Sequence, residues 1–146
     1  MTIHLGNDHA GYLLKTQLSL FIALEFPQFK IENYGIDNTT SVDYPEIVHT
    51  LVPHIIENDK GILICGSANG MSMTANKYKH IRSGIAWNKE IAALLRKHND
   101  ANIICLPSRY IDLETAKSCV FAFLTNAFEG GRHHRRVEKI HNNYCK

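Results

Sequence analysis

The sequence predicts an α/β protein: a three-layer, doubly wound, Rossmann-like sheet of about five parallel strands with helices on both faces. Apolar runs too short for helices, such as Ile62 to Cys65, alternate with segments whose apolar residues recur at helical spacing. The connections between them are short, with no linker, internal repeat or low-complexity stretch, and that alternation requires a mostly parallel sheet covered on both sides. A length of 146 residues, 45% apolar and 21% charged, suits a single globular domain spanning residues 1–146.

Thr2 to Asn7 reads as the first strand and Asp8-His9-Ala10-Gly11 as its turn. Leu13, Leu14, Leu18, Phe21, Ile22 and Leu24 follow at helical spacing until Pro27. Lys30 to Tyr34 alternates as a second strand, Gly35 turns it, and Asn38-Thr39-Thr40-Ser41 is a loop. A helix begins at Asp43-Tyr44-Pro45, where proline in the first turn loses no hydrogen bond. Pro53 predicts a kink or break near His49 to Val52. Ile62 to Cys65 is the third strand, and Met71 to Lys79 carries good helix formers. Arg82 to Trp87 is the fourth strand, and Asn88 caps a helix running from Lys89 to about His98. Asn102 to Leu106 is the fifth. Asp112-Leu113-Glu114 starts a long helix expected to reach Phe128. Gly130-Gly131 stops it, and Val137, Ile140 and Tyr144 outline a short final amphipathic helix.

Composition excludes several classes. A net charge of +2, with basic residues scattered except in Arg132-His133-His134-Arg135-Arg136, does not fit a nucleic-acid binder. Cysteines at 65, 105, 119 and 145 lack the Cys-x-x-Cys spacing of a metal site. No apolar run approaches the ~20 residues of a membrane span, so no membrane partner is expected. Free thiols without an export signal before Met1 predict a cytoplasmic protein.

The chemistry centres on Gly61 to Ser72. Strand, small-residue turn and helix in that order aim backbone N–H groups at whatever lies above the turn, which suits an anion. Cys65 stands at the strand's carboxyl end, where open α/β sheets place their ligands. Loops after parallel strands share one edge, so Asp8-His9, Cys65-Gly66-Ser67, the region after Trp87 and Ser108-Arg109 converge on one cleft. Each residue also has a structural explanation. Cys65 could be a small buried hydrophobe, Asp8 a helix cap, and Ser67 an ordinary turn residue. His98 could complement a helix end, and Arg132 and Arg136, four apart, could be solvated surface. Convergence on one rim is what favours function.

Six blocks, in order, carry a resemblance. They are Gly6-Asn7-Asp8-His9-Ala10-Gly11, Asp43-Tyr44-Pro45, Gly61 to Lys77 with its Ala75-Asn76-Lys77 end, Arg96 to Asn102, Glu129-Gly130-Gly131-Arg132-His133, and Arg136-Val137. In these the chain resembles the type B ribose-5-phosphate isomerases, within the wider family that includes the lactose-pathway galactose-6-phosphate isomerases. The resemblance implies conversion of an aldose phosphate to its ketose through a cis-enediolate, without metal or other cofactor. It implies that Cys65 moves the proton between C2 and C1, that Ser67 assists at the substrate oxygens, and that backbone N–H groups from Gly66 to Gly70 hold the enediolate. His98, with Asp8 nearby, would help open the sugar ring. Arg132 and Arg136, with His9, would grip the phosphate, and Tyr44, Asn99 and Arg109 would line the sugar site. The partners implied are a sugar phosphate and a second copy of the chain, in a homodimer or homotetramer whose clefts draw on two subunits.

The residue types suit this chemistry. A carbon-bound proton becomes acidic only as its carbonyl is polarised, so oxyanion donors matter most. The turn's N–H groups are expected to lower the thiol towards neutral pH. Met71 stands where one branch of the family has a glutamate, and no Asp or Glu lies between Gly61 and Glu90, leaving Cys65 as the base in this loop. Ala68 and Asn69 depart from the usual Cys-Gly-Ser/Thr-Gly pattern, so Ala68 must avoid positive φ or carry strain. Pro107 replaces a common glycine and stiffens the loop before Ser108-Arg109. Two other functions fit the same residues: a hexose-6-phosphate isomerase acting on allose or galactose phosphate, and a non-catalytic sugar-phosphate sensor. The apolar helix containing Cys119, Val120, Phe121, Phe123 and Leu124 offers a subunit contact, or alternatively a wide buried face.

Overall fold

Strands β1 (Thr2–Asn7), β2 (Lys30–Asn33), β3 (Lys60–Cys65), β4 (Ser83–Ile85) and β5 (Ile103–Pro107) pair in parallel in the order β2-β1-β3-β5-β4. This arrangement is that of a computed structural model, which describes residues 1–142. Alternate residues of each strand face opposite layers. Ile3, Leu5, Ile62, Ile64, Ile104 and Leu106 pack beneath α1 (Tyr12–Glu25), α4 (Lys89–Asn99) and α5 (Leu113–Thr125). Leu63, Cys65, Ile103 and Cys105 face α2 (Tyr44–Leu51) and α3 (Asn69–Ala75). The three-layer expectation therefore holds, and Cys65 belongs to the α2–α3 side.

The turn after β1 is a single 3₁₀ turn, His9–Gly11, capped by the Asp8 carboxylate, which accepts from the N–H groups of Ala10 and Gly11. Gly11 is there for closeness: a Cβ on it would lie 2.3 Å from the Ile64 carbonyl oxygen. At Pro53 α2 gives way to a 3₁₀ turn, Val52–His54, where a break was expected. Asn88 caps α4 through the Ile91 N–H.

Two helices are shorter than their sequences predict. The α3 helix ends at Ala75, because the Asn76 amide exchanges two hydrogen bonds with the Ser83 backbone, each 2.9 Å. The α5 helix ends at Thr125, where Asn126 turns extended and its amide donates back to the Ala122 carbonyl. Cys119, Val120, Ala122 and Phe123 of α5 are buried in the chain's own core, so much of that helix's apolar width is a buried face, while Phe121 stays 42% exposed. A final helix, α6 (Arg132–Asn142), packs on α4; Tyr144 and Cys145 lie outside the described residues.

Cys65, Cys105 and Cys119 are free and buried. Among the described residues no helix is long and apolar enough to cross a membrane. At the amino edge of the sheet, buried His4 lies 3.2 Å from the Asp59 carboxylate, which also accepts from the Thr2 N–H at 2.8 Å. This pair ties the start of β1 to the approach to β3.

Candidate active site

The loops after β1, β3 and β5 meet at the carboxyl edge, and Ser108 holds them together. Its hydroxyl donates to the Ala10 carbonyl at 2.9 Å, and its backbone N–H donates to the Cys65 carbonyl at 2.9 Å. The next N–H, of Arg109, donates to the Gly66 carbonyl, and the guanidinium lies across Gly66, 3.3 Å from where a Cβ would stand. A Cβ there would press on the arginine, which would have to give by a few tenths of an ångström. The loops enclose a cleft of about 240 Å³ lined by Asp8, His9, Ala10, Tyr44, Cys65, Gly66, Ser67, Gly70, Arg109 and Tyr110.

Within the cleft, Gly70 makes room for Tyr44, whose ring carbon Cζ is 2.3 Å from a Cβ built on that glycine. The Nδ1 of His9, a residue of the cleft wall, is buried without a partner among the described residues. Ala68, at the turn's apex, has φ 66° and ψ −13°, so the strain expected of a non-glycine residue is present. Its methyl group is fully buried against the α2–α3 core.

The Cys65 thiol corrects one expectation. It is 5% exposed, and burial pushes its pKa up; the Asp8 charge acts in the same direction. Backbone N–H groups of Met71, Ala68 and Ser67 oppose this without outweighing it. In the free chain the sulfur is held as a thiol above its ordinary range, not lowered towards neutral pH. Cys105, fully buried behind it and 3.2 Å from the Ser83 hydroxyl, is pushed up to about 12 by the same desolvation.

Eight of the twelve residues singled out in the sequence line this cleft: Asp8, His9, Tyr44, Cys65, Gly66, Ser67, Gly70 and Arg109. His98, Asn99, Arg132 and Arg136 do not. A helix that follows a parallel strand runs back to the strand's starting edge, so the end of α4 lies beside the first residues of β3 and β5. The Gly61 N–H donating to the Asn102 carbonyl at 2.8 Å marks that end. The length of β3, about 16 Å at ~3.3 Å per residue, separates it from Cys65. His98 is therefore not near Asp8 of the same chain.

At the amino edge, His98 stacks on His133 with ring centroids 4.1 Å apart and an interplanar angle of 10°. The His98 Nε2 is 3.8 Å from the Glu129 carboxylate, and the Glu129 N–H donates to the Lys97 carbonyl at 3.0 Å. Arg132 and Arg136, both exposed, stand one helical turn apart on α6 beside this cluster. Tyr110 in the cleft and Glu129 and His133 at the other edge were not given roles from sequence. For Tyr110 the signal was its position next to Arg109; for the other pair, no spacing rule reveals a stack between two helices.

Residues 3–140 match the ribose/galactose isomerase family. The chain is 36% identical over 140 residues to ribose-5-phosphate isomerase B of Escherichia coli strain K12, covering 94% of this chain and 93% of that protein. Among solved structures, ribose 5-phosphate isomerase B from Anaplasma phagocytophilum aligns with a TM-score of 0.89 at 43% identity, covering 95% of each chain. A ribose 5-phosphate isomerase from Thermotoga maritima aligns with a TM-score of 0.91 at 39% identity, covering 97% of this chain and 98% of that one.

Proposed function

Because the chain belongs to the ribose/galactose isomerase family, we propose that it interconverts ribose 5-phosphate and ribulose 5-phosphate through a cis-enediolate. The observation that carries the reading is Cys65 at the carboxyl end of β3, inside a cleft it shares with Asp8, His9, Ser67 and Arg109. The Cys65 thiolate takes the C2 proton and returns it to C1. The first N–H groups of α3, at Asn69 and Gly70, have no helical acceptor and are the donors for the enediolate oxygens. A preorganised donor of this kind is worth ~2.7–4 kcal/mol. Ser67 and Tyr44 hold the sugar oxygens, and His9 and Arg109 take polar ends of the substrate.

In this reading the ring-opening base His98, with Asn99, and the phosphate-binding Arg132 and Arg136 come to the cleft from a second subunit. Their position at the opposite sheet edge of their own chain supports that arrangement. The protein is then a cytoplasmic homodimer or homotetramer, with residues 1–146 acting as one domain and no cofactor taking part. The test is a panel of pentose and hexose phosphates assayed for aldose–ketose conversion. Ribose 5-phosphate is expected to turn over fastest and unphosphorylated ribose hardly at all. Equal turnover of ribose and ribose 5-phosphate, or preference for allose 6-phosphate, would overturn the assignment.

A further inference from the structure

The amino-edge cluster offers more than a sugar phosphate needs. His98, Glu129 and His133 each present one ligand atom, and the three atoms all lie within 4.8 Å of one another. The Nε2 of His98 and the Glu129 Oε2 are already 3.8 Å apart, a few tenths of an ångström beyond the spacing of two ligands on one small tetrahedral ion. The cluster is also built. His133 is 9% exposed, and Glu129 is anchored through its backbone to Lys97. Its other carboxylate oxygen lies 3.6 Å from the Lys97 ammonium, which leaves Oε2 free for a ligand.

We propose that His98, Glu129 and His133 form a binding site for a divalent transition-metal ion of the zinc type, and that its occupation withdraws His98 from catalysis. The second half of this proposal rests on the isomerase reading. Two imidazoles and one carboxylate form the three-ligand set that zinc accepts with a fourth position open to water. Neutral imidazole is the form a metal requires. The half-exposed His98 ring, its Nε2 already 3.8 Å from the Glu129 carboxylate, closes the remaining few tenths of an ångström by tilting towards the ion. The cationic surroundings, Lys97, Arg132 and Arg136, select by chemistry. Magnesium and calcium need several oxygen ligands and gain little from imidazole, whereas zinc, cobalt and nickel bind nitrogen strongly enough to enter a basic neighbourhood.

The experiment is titration of the intact protein with zinc by calorimetry, and with cobalt by visible absorption, whose band intensity reports low coordination number. One ion per chain is expected, with no response to magnesium. Glu129→Gln, nearly isosteric and half-exposed, and His133→Gln are each expected to weaken zinc binding by about tenfold or more, with far-ultraviolet dichroism confirming the fold. Cys65→Ser and His134→Gln are expected to leave binding unchanged. Zinc is further expected to inhibit turnover of ribose 5-phosphate in the wild-type protein, with a chelator restoring it. Absence of binding, or binding that survives both Glu129→Gln and His133→Gln, overturns the site. Loss of binding in Cys65→Ser or His134→Gln does the same, by moving the ion to the thiol or to the exposed His134–Glu138 pair. Binding without inhibition overturns the link to His98 while leaving the metal site in place.

Discussion

Cys65→Ala removes the proposed base and almost nothing else, since the side chain is small and the turn's backbone donors remain. Turnover is expected to fall by about 10²–10⁴-fold, the range for a positioned acid–base group, with the melting temperature little changed. Because burial raises the thiol above its ordinary value of 9.0, the thiolate fraction still grows there. The kcat/KM of the free enzyme is expected to climb through pH 9 without levelling, and a plateau near neutrality would point to another base. Gly70→Ala tests the opposite wall: its Cβ would stand 2.3 Å from the Tyr44 ring, which must swing away, so KM rises more than kcat falls. The neighbouring Ala68 weighs two effects of similar size. Relieving its left-handed backbone is worth ~1–2 kcal/mol. Glycine there loses one buried methyl, ~0.8 kcal/mol, and adds chain entropy of ~0.5–1 kcal/mol to the unfolded state. Ala68→Gly is therefore expected to shift stability by less than about 1 kcal/mol in chemical denaturation. The strain itself was legible, because a non-glycine residue stood where the turn calls for glycine; the fate of the thiol was not, because burial depends on α2 and α3 closing over it.

The helices and strands divide in the same way. Strand positions followed from apolar runs and helix starts from Asn88 and Asp112, whose side chains cap the backbone as their type predicts. Helix ends were misread where an asparagine amide chose a backbone partner: Asn76 found the start of β4, an element distant enough to be invisible to local propensity. The placement of His98 at the amino edge was implicit in the alternation of strand and helix. Its stack on His133 was not, since the amphipathic pattern of α6 does not say which neighbouring helix its buried side meets. At the same edge the buried His4–Asp59 pair makes an element-scale prediction. Desolvation of Asp59 raises its pKa, but the Thr2 N–H and His4 together hold it below the ordinary 3.8. A carboxylate depressed in the fold contributes stability above its unfolded pKa and loses it as pH falls through the folded one. Asp59→Asn is expected to cost about 1.5–3 kcal/mol at neutral pH and to flatten the acid limb of the unfolding curve. An unchanged acid limb would show the pair to be energetically idle.

For the whole molecule, the distance along β3 between Cys65 and His98 makes the proposed assembly testable without a structure of it. Cys65→Ala and His98→Asn chains are each expected to be inactive alone. Mixed and reassorted, half of the dimers pair one of each, and each such dimer holds one cleft with both native residues. Activity is expected to return to about a quarter of the wild-type value. No recovery would overturn the cleft shared between two subunits. The same separation divides folding from function. Each chain closes a core on both faces of its own sheet and is expected to hold its shape without a neighbour. Strong dilution would therefore yield chains that keep their dichroism and melting behaviour yet turn over nothing. Specific activity would fall with concentration while the fold did not, and on reconcentration activity would return at the rate of a second-order encounter.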